Sequence, residues 1–142
     1  MDLLADAAAM SDQYRNTIGP VSVTKHLPGG EDTACRELMT SEGHFVLKAY
    51  SDRDRCGTEI SMLTQCRREG IPVPVLARTD TNELFGAIGD VYFLVTKFID
   101  GSLLPKFSHD SARIVARTLG AIHRVQLSSV KDPYSRIHRM IW

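Results

Sequence analysis

Alternating apolar and polar positions in the first part of the chain predict three consecutive β-strands. Val21 to Leu27 has the two-residue period of a strand, Thr33 to Thr40 is a weaker candidate, and His44 to Tyr50 is the third. Pro28 to Asp32 and Ser41 to Gly43 have the composition of turns. Because such short connections join antiparallel neighbours, the pattern predicts a meander.

Three other stretches have the periodicity of helices. Residues 1–16 predict a short amphipathic helix, and Asp52 to Glu69 predicts a longer one that Gly70 ends. A third helix begins after Ser108, which caps it, and its apolar residues fall on one face. These apolar residues are Ile114, Val115, Leu119, Ile122 and Val125. The mixture of helices and an antiparallel meander predicts an α+β fold.

Two further strands are predicted between the second and third helices. The prolines of "IPVPVLA" favour an extended lead-in to a strand near Val75 to Arg78, and "TDTNELFG" has the composition of a turn. Asp90 to Phe98 is almost continuously apolar, which favours a central strand. Together with the meander, these strands predict an antiparallel sheet of about five strands with a helix packed on it.

Composition and charge narrow the class of protein. The 142 residues are 43% hydrophobic, which suffices for one domain with a modest core. Lys plus Arg equals Asp plus Glu at 17 each, so the chain lacks the basic excess typical of nucleic-acid binding. No apolar run approaches the roughly 20 residues of a membrane span, and Asp2 and Asp6 stand where a signal peptide carries basic residues. We therefore expect neither nucleic acid nor membrane as a partner.

The cysteines and histidines do not have the spacing of a metal site. Cys35, Cys56 and Cys66 are odd in number and lack C-x-x-C spacing, and the five histidines are scattered. We interpret the cysteines as reduced, mainly structural thiols, and we expect the protein to be cytoplasmic.

The segment "GHFVLKAY" contains a lysine at a position where the surrounding pattern predicts a buried strand. Lys48 lies within an otherwise apolar strand, and burial of a lysine without a partner is costly. Glu59 is the only charged member of an apolar stripe on the next helix, which also includes Cys56 and Cys66. One hypothesis is that Lys48 and Glu59 form an ion pair. The alternative is that Lys48 extends to solvent and Glu59 lies at the edge of the packed face.

Five short segments carry a resemblance to a known family through their order and spacing. They are "GGEDTACREL", "FVLKAY", Glu59 followed by "REGIPVPVLA", "YFLVTKFIDG" and "ARTLGAIHRV". The chain resembles the N-terminal lobe of the aminoglycoside phosphotransferase and choline kinase-like superfamily, and its "GGED" and "FVLK" segments are similar to homoserine kinase and hydroxylysine kinase-like members. The resemblance implies a kinase-like N-lobe with an N-terminal helix over residues 1–98. Residues 99–142 would then be the hinge and one or two helices of a truncated C-lobe.

The resemblance also implies residues that bind the phosphates of a nucleotide. Lys48 would hold the α- and β-phosphates of ATP, and Glu59 would orient it. Gly29 and Gly30 would let the backbone approach the phosphates, although the two acidic residues that follow bring negative charge there. An ordinary hairpin turn is the alternative interpretation of the two glycines.

The hinge implied by the resemblance is "LVTKFIDG". The Lys97 carbonyl and the Ile99 amide would bind adenine, and Thr96 would lie behind the base as a gatekeeper. Val46, Ala49 or neighbouring apolar residues would cover it. The alternative is a buried strand that ends in an Asp-Gly turn.

The residues that the family uses for catalysis are missing from this sequence. Phosphoryl transfer needs an aspartate near the acceptor hydroxyl and ligands for Mg²⁺. In the family these come from an "HGD…N" loop and a later Asp motif, and neither occurs after the helix that ends in "LGAIH". We therefore name no catalytic and no metal-binding residue, and ATP is the expected cofactor.

We expect this chain to be the ATP-binding N-terminal part of a small-molecule kinase that phosphorylates a hydroxyl group, inactive without its catalytic half. The alternative is a non-catalytic binding module that uses an apolar C-terminal surface, including Met140 to Trp142, to bind a partner or another copy of itself. An unrelated small α+β domain is a third hypothesis. The sequence does not identify the phosphate acceptor.

Overall fold

A five-stranded antiparallel sheet organises residues 4–27, 34–101 and 108–125, which are the residues that the computed structural model describes. In chain order the strands are β1 Val21–Leu27, β2 Ala34–Thr40, β3 Gly43–Tyr50, β4 Gly86–Ile88 and β5 Val91–Lys97. They lie in the spatial order β1-β2-β3-β5-β4. The predicted meander and the central position of the strand near Asp90 to Phe98 are confirmed.

Four helices accompany the sheet in the described residues. They are α1 Ala7–Asp12, α2 Arg15–Ile18, α3 Arg53–Arg68 and α4 His109–His123. The first predicted helix is therefore two short ones, but Met10, Tyr14 and Ile18 still form one buried stripe at four-residue spacing. None of these helices combines the length and the apolar composition that would be needed to cross a membrane.

Side-chain caps fix where α3 and α4 begin. The Asp52 carboxylate accepts a hydrogen bond of 2.8 Å from the Asp54 amide at the start of α3. Ser108 and Ser111 form a reciprocal capping box at the start of α4, which confirms the predicted Ser108 cap. The prediction of a helix from Asp52 to Glu69 is confirmed to within one residue at each end.

The fifth strand lies elsewhere than predicted. The segment near Val75 to Arg78 makes only an isolated bridge, in which Leu76 pairs with Thr96 of β5. Prolines limit regular pairing there because they lack the amide that a ladder needs. Instead β4 forms at the end of the segment predicted as a turn, and its three residues are too few for a period to be detected.

The sheet has two apolar faces, each covered by different helices. Phe45, Leu47 and Ala49 of β3 point to the face that packs on α1 and α2, where Met10, Tyr14 and Ile18 lie. Val46, Lys48 and Tyr50 point to the opposite face, which α3 covers. Strand β3 thus carries core residues on one side and the charged Lys48 on the other.

Candidate functional site

Lys48 of β3 and Glu59 of α3 form an ion pair. The Lys48 Nζ lies 2.7 Å from the Glu59 Oε1. The pairing follows from the packing of α3 on the Lys48 face of the sheet, which brings the two unexpected charges of the sequence together. The hypothesis of an ion pair is confirmed, and the alternative, in which Lys48 extends to solvent and Glu59 lies unpaired at the edge of the packed face, is wrong.

The ion pair is neither fully buried nor fully exposed. The side chains of Lys48 and Glu59 are 32% and 27% exposed. An ammonium group has three N–H donors, and among the described residues Glu59 is the partner of Lys48. Lys48 therefore has N–H groups left for a ligand that enters from solvent, while Glu59 limits the freedom of its side chain.

Tyr50 is a third member of this cluster, and the sequence interpretation missed it. Its hydroxyl donates a hydrogen bond to the Glu59 Oε2. Burial raises the pKa of the Tyr50 phenol well above its ordinary range, and the hydrogen bond to Glu59 raises it further. A signal for this contact was available, because residues two apart on a strand share a face and Tyr50 follows Lys48 by two positions.

A cavity of about 490 Å³ opens beside the ion pair. It lies between β3, α3 and α4, and its lining includes Lys48, Tyr50, Glu59, Leu63, Cys66 and Ile122. The lining combines two cations, the partly buried Lys48 and the exposed Arg55, with several apolar side chains. A few charged groups beside an apolar wall are a usual composition for a small-molecule site.

The predicted hinge residues lie at the end of β5. Thr96 is only 3% exposed and stands directly opposite Val46 of β3, so the two side chains share the face that carries Lys48. The Lys97 amide donates a hydrogen bond of 2.8 Å to the Val75 carbonyl. Ile99 follows the strand and is 60% exposed. Among the described residues, the backbone hydrogen bonds outside the sheet ladder use neither the Lys97 carbonyl nor the Ile99 amide.

The structure brings some of the predicted residues together and separates others. Lys48, Glu59, Thr96 and Val46 lie on one side of the sheet. Ala49 is wrong as a covering residue for adenine, because the alternation of the strand turns it to the opposite face, where it is fully buried in the core under α1 and α2. Gly29 and Gly30 lie outside the described residues.

Cys35 extends the cluster on the other side of Lys48. It stands opposite Lys48 in the register of β2 and β3, and it is only partly buried. Burial raises the pKa of the Cys35 thiol, Lys48 opposes that effect, and Glu59 adds to it. The sequence pattern gave no indication of this proximity, because it requires the register of the two strands.

The described residues do not provide a metal centre. Within residues 4–27, 34–101 and 108–125, no three His, Cys, Asp or Glu side chains come together in a way that could hold a metal ion. Both oxygens of Glu59 already have partners. The donor set of this part of the chain therefore does not fit Mg²⁺, which prefers several free oxygen ligands.

Comparison with known protein families gives one match. The model of the phosphotransferase enzyme family, APH, matches residues 23–140. This match covers most of the chain and includes most of β1, all of β2 to β5, and α3 and α4. Among curated proteins, none is similar enough in sequence to be recognised as a relative.

Solved structures of phosphotransferases share the fold. Spectinomycin phosphotransferase APH(9)-Ia, in complex with ADP and spectinomycin, superposes with a TM-score of 0.65 at 13% identity over 79% of this chain. A thermostable mutant of aminoglycoside phosphotransferase APH(4)-Ia, in complex with AMP-PNP and hygromycin B, gives a TM-score of 0.55 at 18% identity over 80% of this chain. The chain spans 36% and 38% of these two proteins. At such low identities the similarity concerns the fold, and it confirms the kinase-like α+β architecture.

Proposed function

The chain belongs to the phosphotransferase enzyme family, and from this premise we propose that it is the ATP-binding N-terminal part of a small-molecule kinase that acts on a hydroxyl group. The observation that carries the proposal is the ion pair between Lys48 and Glu59 beside an open cavity. The division into an N-lobe over residues 1–98 and the start of a C-lobe over 99–142 is part of the same proposal, as is a cytoplasmic location.

Lys48 is the residue proposed to bind the phosphates. Its ammonium is fixed at one N–H group by Glu59 and exposed enough to meet an anion with the others. Glu59 compensates the charge of Lys48 when no nucleotide is bound, so the cation can remain in a partly apolar site. Bound ATP would supply the phosphoryl group for transfer, and the part of Lys48 would be to hold and orient the phosphates.

The adenine base is proposed to lie against the end of β5. Thr96 and Val46 face the same side of the sheet as Lys48, so they can form the inner wall and the cover of an adenine pocket. The Lys97 carbonyl and the Ile99 amide would provide one acceptor and one donor for the edge of the base. Gly29 and Gly30 are proposed to approach the phosphates from the turn after β1.

Phosphoryl transfer is not expected from these 142 residues alone. The sequence contains no His-Gly-Asp motif, and the described residues do not fit Mg²⁺. The acceptor-binding side would thus be provided by additional structure, which is consistent with the small share of the solved phosphotransferases that the chain spans. The acceptor is proposed only as a small molecule with a hydroxyl group.

One observation favours the alternative of a binding module. Ile114 and Leu119 of α4 are 57% and 48% exposed, so this helix presents apolar side chains to solvent. The segment Met140 to Trp142 lies outside the described residues. If the chain is an interaction module, it should self-associate or bind a partner through α4 without affinity for nucleotides.

The test is a titration of the ¹⁵N-labelled chain with the ATP analogue AMP-PNP, followed by NMR. We expect saturable shifts at Lys48, Glu59 and residues 96–99, and little change at Tyr14 and Ile18 on the opposite face of the sheet. Lys48→Ala should raise the Kd tenfold or more, because hydrogen bonds to a charged group contribute about 1.5–3 kcal/mol.

The matched control is Arg68→Ala, which removes one positive charge from an exposed position at the end of α3. It should leave the Kd within about twofold, since exposed charges contribute little. If the wild-type chain shows no saturable shifts at millimolar AMP-PNP, or if Lys48→Ala and Arg68→Ala bind as well as the wild type does, the proposed function is wrong.

A further inference from the structure

The Glu59 carboxylate has a different partner on each oxygen. Its Oε1 accepts from the Lys48 ammonium at 2.7 Å, and its Oε2 accepts from the Tyr50 hydroxyl. We propose that Tyr50 is a positioning residue for nucleotide binding: it fixes the orientation of Glu59, and Glu59 in turn fixes Lys48. This inference rests on the proposed function, because it concerns how the same site is held in shape.

The geometry of β3 makes this arrangement possible. Lys48 and Tyr50 are two residues apart, so both point toward α3 from the same face of the strand. Tyr50 is only 3% exposed, whereas the Lys48 side chain is 32% exposed. Glu59 therefore connects a buried donor, the Tyr50 hydroxyl, with a partly exposed cation in the lining of the cavity.

The tyrosine is suited to hold the carboxylate because it is itself immobile. Its ring packs in a buried cluster with Cys56, Ile60 and Leu94. A tyrosine has two side-chain torsions, and burial has already fixed them, so the hydrogen bond to Glu59 costs little further entropy. Glutamate, in contrast, has three torsions, and one contact with a mobile lysine does not fix them all.

The protonation state of Tyr50 supports the same role. Burial and the bond to Glu59 both raise the pKa of its phenol, so the hydroxyl keeps its proton at neutral pH and remains a donor. If this donor is lost, the Oε2 must find water, and the carboxylate can rotate away from Lys48. The Lys48 ammonium would then reach the phosphates from a broader set of positions, and nucleotide affinity would fall.

Packing in the apolar cluster explains why an aromatic ring stands at position 50, but a phenylalanine ring would pack there equally well. The hydroxyl of Tyr50 is explained by its hydrogen bond to Glu59. Tyr92 provides the comparison, because it stands directly opposite Tyr50 in the β3–β5 register and contributes to the same apolar cluster. The Tyr92 ring lies 6.4 Å from that of Phe85 between centroids. Its hydroxyl makes no hydrogen bond within the described residues, so Tyr92→Phe is a matched control for removal of a phenolic oxygen from this face.

The experiment measures the affinity of the full chain for two ligands, AMP-PNP and adenosine, by NMR titration. Tyr50→Phe should weaken AMP-PNP binding about three- to tenfold, the range expected for loss of one hydrogen bond. It should leave adenosine binding within about twofold, because adenosine has no phosphates for Lys48. Tyr92→Phe should leave both affinities unchanged. In the Lys48→Ala background, Tyr50→Phe should cause no further loss for AMP-PNP.

The outcomes separate this inference from the proposed function. Weaker AMP-PNP binding in Lys48→Ala with unchanged binding in Tyr50→Phe would refute the role of Tyr50 and leave the proposed function standing. Equal losses for adenosine and AMP-PNP in Tyr50→Phe would also refute it, because they would show a general structural effect. Absence of AMP-PNP binding in the wild type would overturn both.

A second measurement covers the case in which Tyr50→Phe does not fold. In the chain labelled with ¹³C at tyrosine Cζ, Glu59→Gln should shift the resonance of Tyr50 and leave that of Tyr92 in place. An unchanged Tyr50 resonance would show that the contact with Glu59 does not form, and the inference would fail.

Discussion

Cys35 of β2 stands directly opposite Lys48 of β3, so its thiol lies on the face of the sheet that carries the candidate nucleotide site. Cys35 is partly exposed, whereas Cys56 and Cys66 are buried. Among the three cysteines of the chain, Cys35 is thus the one that a reagent in solution can reach beside Lys48.

This position predicts a single reactive thiol that bound nucleotide protects. In the native chain, a maleimide should label one cysteine quickly, and Cys35→Ser should abolish that reaction. Saturating AMP-PNP should slow the labelling severalfold, because the phosphates would cover the same face. Because burial raises the pKa of the Cys35 thiol, the rate should rise with pH as the thiolate forms. The measurement is the labelling rate by mass spectrometry, and equal rates with and without nucleotide would contradict the assignment of the site.

The sequence predicted the fold where the periodic pattern was long. The alternation in β3 and the apolar run of β5 placed both central strands. The predicted cap Ser108 located the start of α4, and the predicted start of α3 at Asp52 was one residue early because Asp52 is its cap. It missed β4 because Gly86–Ile88 is too short to show a period. That strand depends on tertiary packing, since the Phe93 ring occupies the space beside Gly86 where a side chain would stand.

The sequence predicted those residues of the candidate site that are charged where the surrounding pattern is apolar. Lys48 in an apolar strand and Glu59 in an apolar stripe were both visible in the sequence, which made their pairing one of two hypotheses, and the packing of α3 on β3 decided between them. Tyr50 was missed because a tyrosine in a strand violates no rule, and its role depends on the hydroxyl contact. Cys35 was missed because strand register is set by the folded sheet.

Gly86 and Gly57 should respond oppositely to substitution by alanine. A Cβ at Gly86 would lie 2.5 Å from the Gln13 Oε1 and would also collide with the Phe93 ring, so Gly86→Ala should destabilise the fold by about 1–3 kcal/mol. Gly57 lies inside α3, and a Cβ there would have no neighbour within 4 Å. Gly57→Ala should therefore stabilise the fold by about 0.5–1 kcal/mol through higher helix propensity. Urea unfolding of both variants provides the measurement, and a destabilised Gly57→Ala would contradict the packing described for α3.

Removal of the α3 cap should weaken the helix that carries Glu59. The Asp52 carboxylate accepts from the Asp54 amide at 2.8 Å, so Asp52→Ala should lower the free energy of unfolding by about 1 kcal/mol. Asp52→Asn is the control, because asparagine is an equally good capping residue and should retain most of that stability. Thermal unfolding of the three proteins gives the comparison. Equal losses for alanine and asparagine would show that the charge of Asp52, and not its capping bond, stabilises α3.

Alkaline pH should destabilise the fold from about pH 9 upward, and Cys56 should account for part of the loss. Burial raises the pKa of the Cys56 thiol from 9.0 to about 12, and Glu59 adds to the shift. Because the pKa is higher in the folded state than in the unfolded state, the contribution to stability is complete below pH 9. It is lost as pH rises toward 12, by up to about 1.4 kcal/mol per pH unit for one group.

Tyr14 and Tyr50 should add to this loss at higher pH, since burial raises the pKa of both phenols.

The test of the Cys56 contribution is the slope of unfolding free energy against pH, measured by urea denaturation between about pH 8 and about pH 11. Cys56→Ala should lower stability at every pH because it leaves a small cavity, but its curve should fall less steeply than that of the wild type above pH 9. Gly57→Ala changes stability without removing a titrating group, so its curve should run parallel to the wild type. Parallel curves for Cys56→Ala and the wild type would show that the Cys56 thiol does not titrate differently in the folded chain.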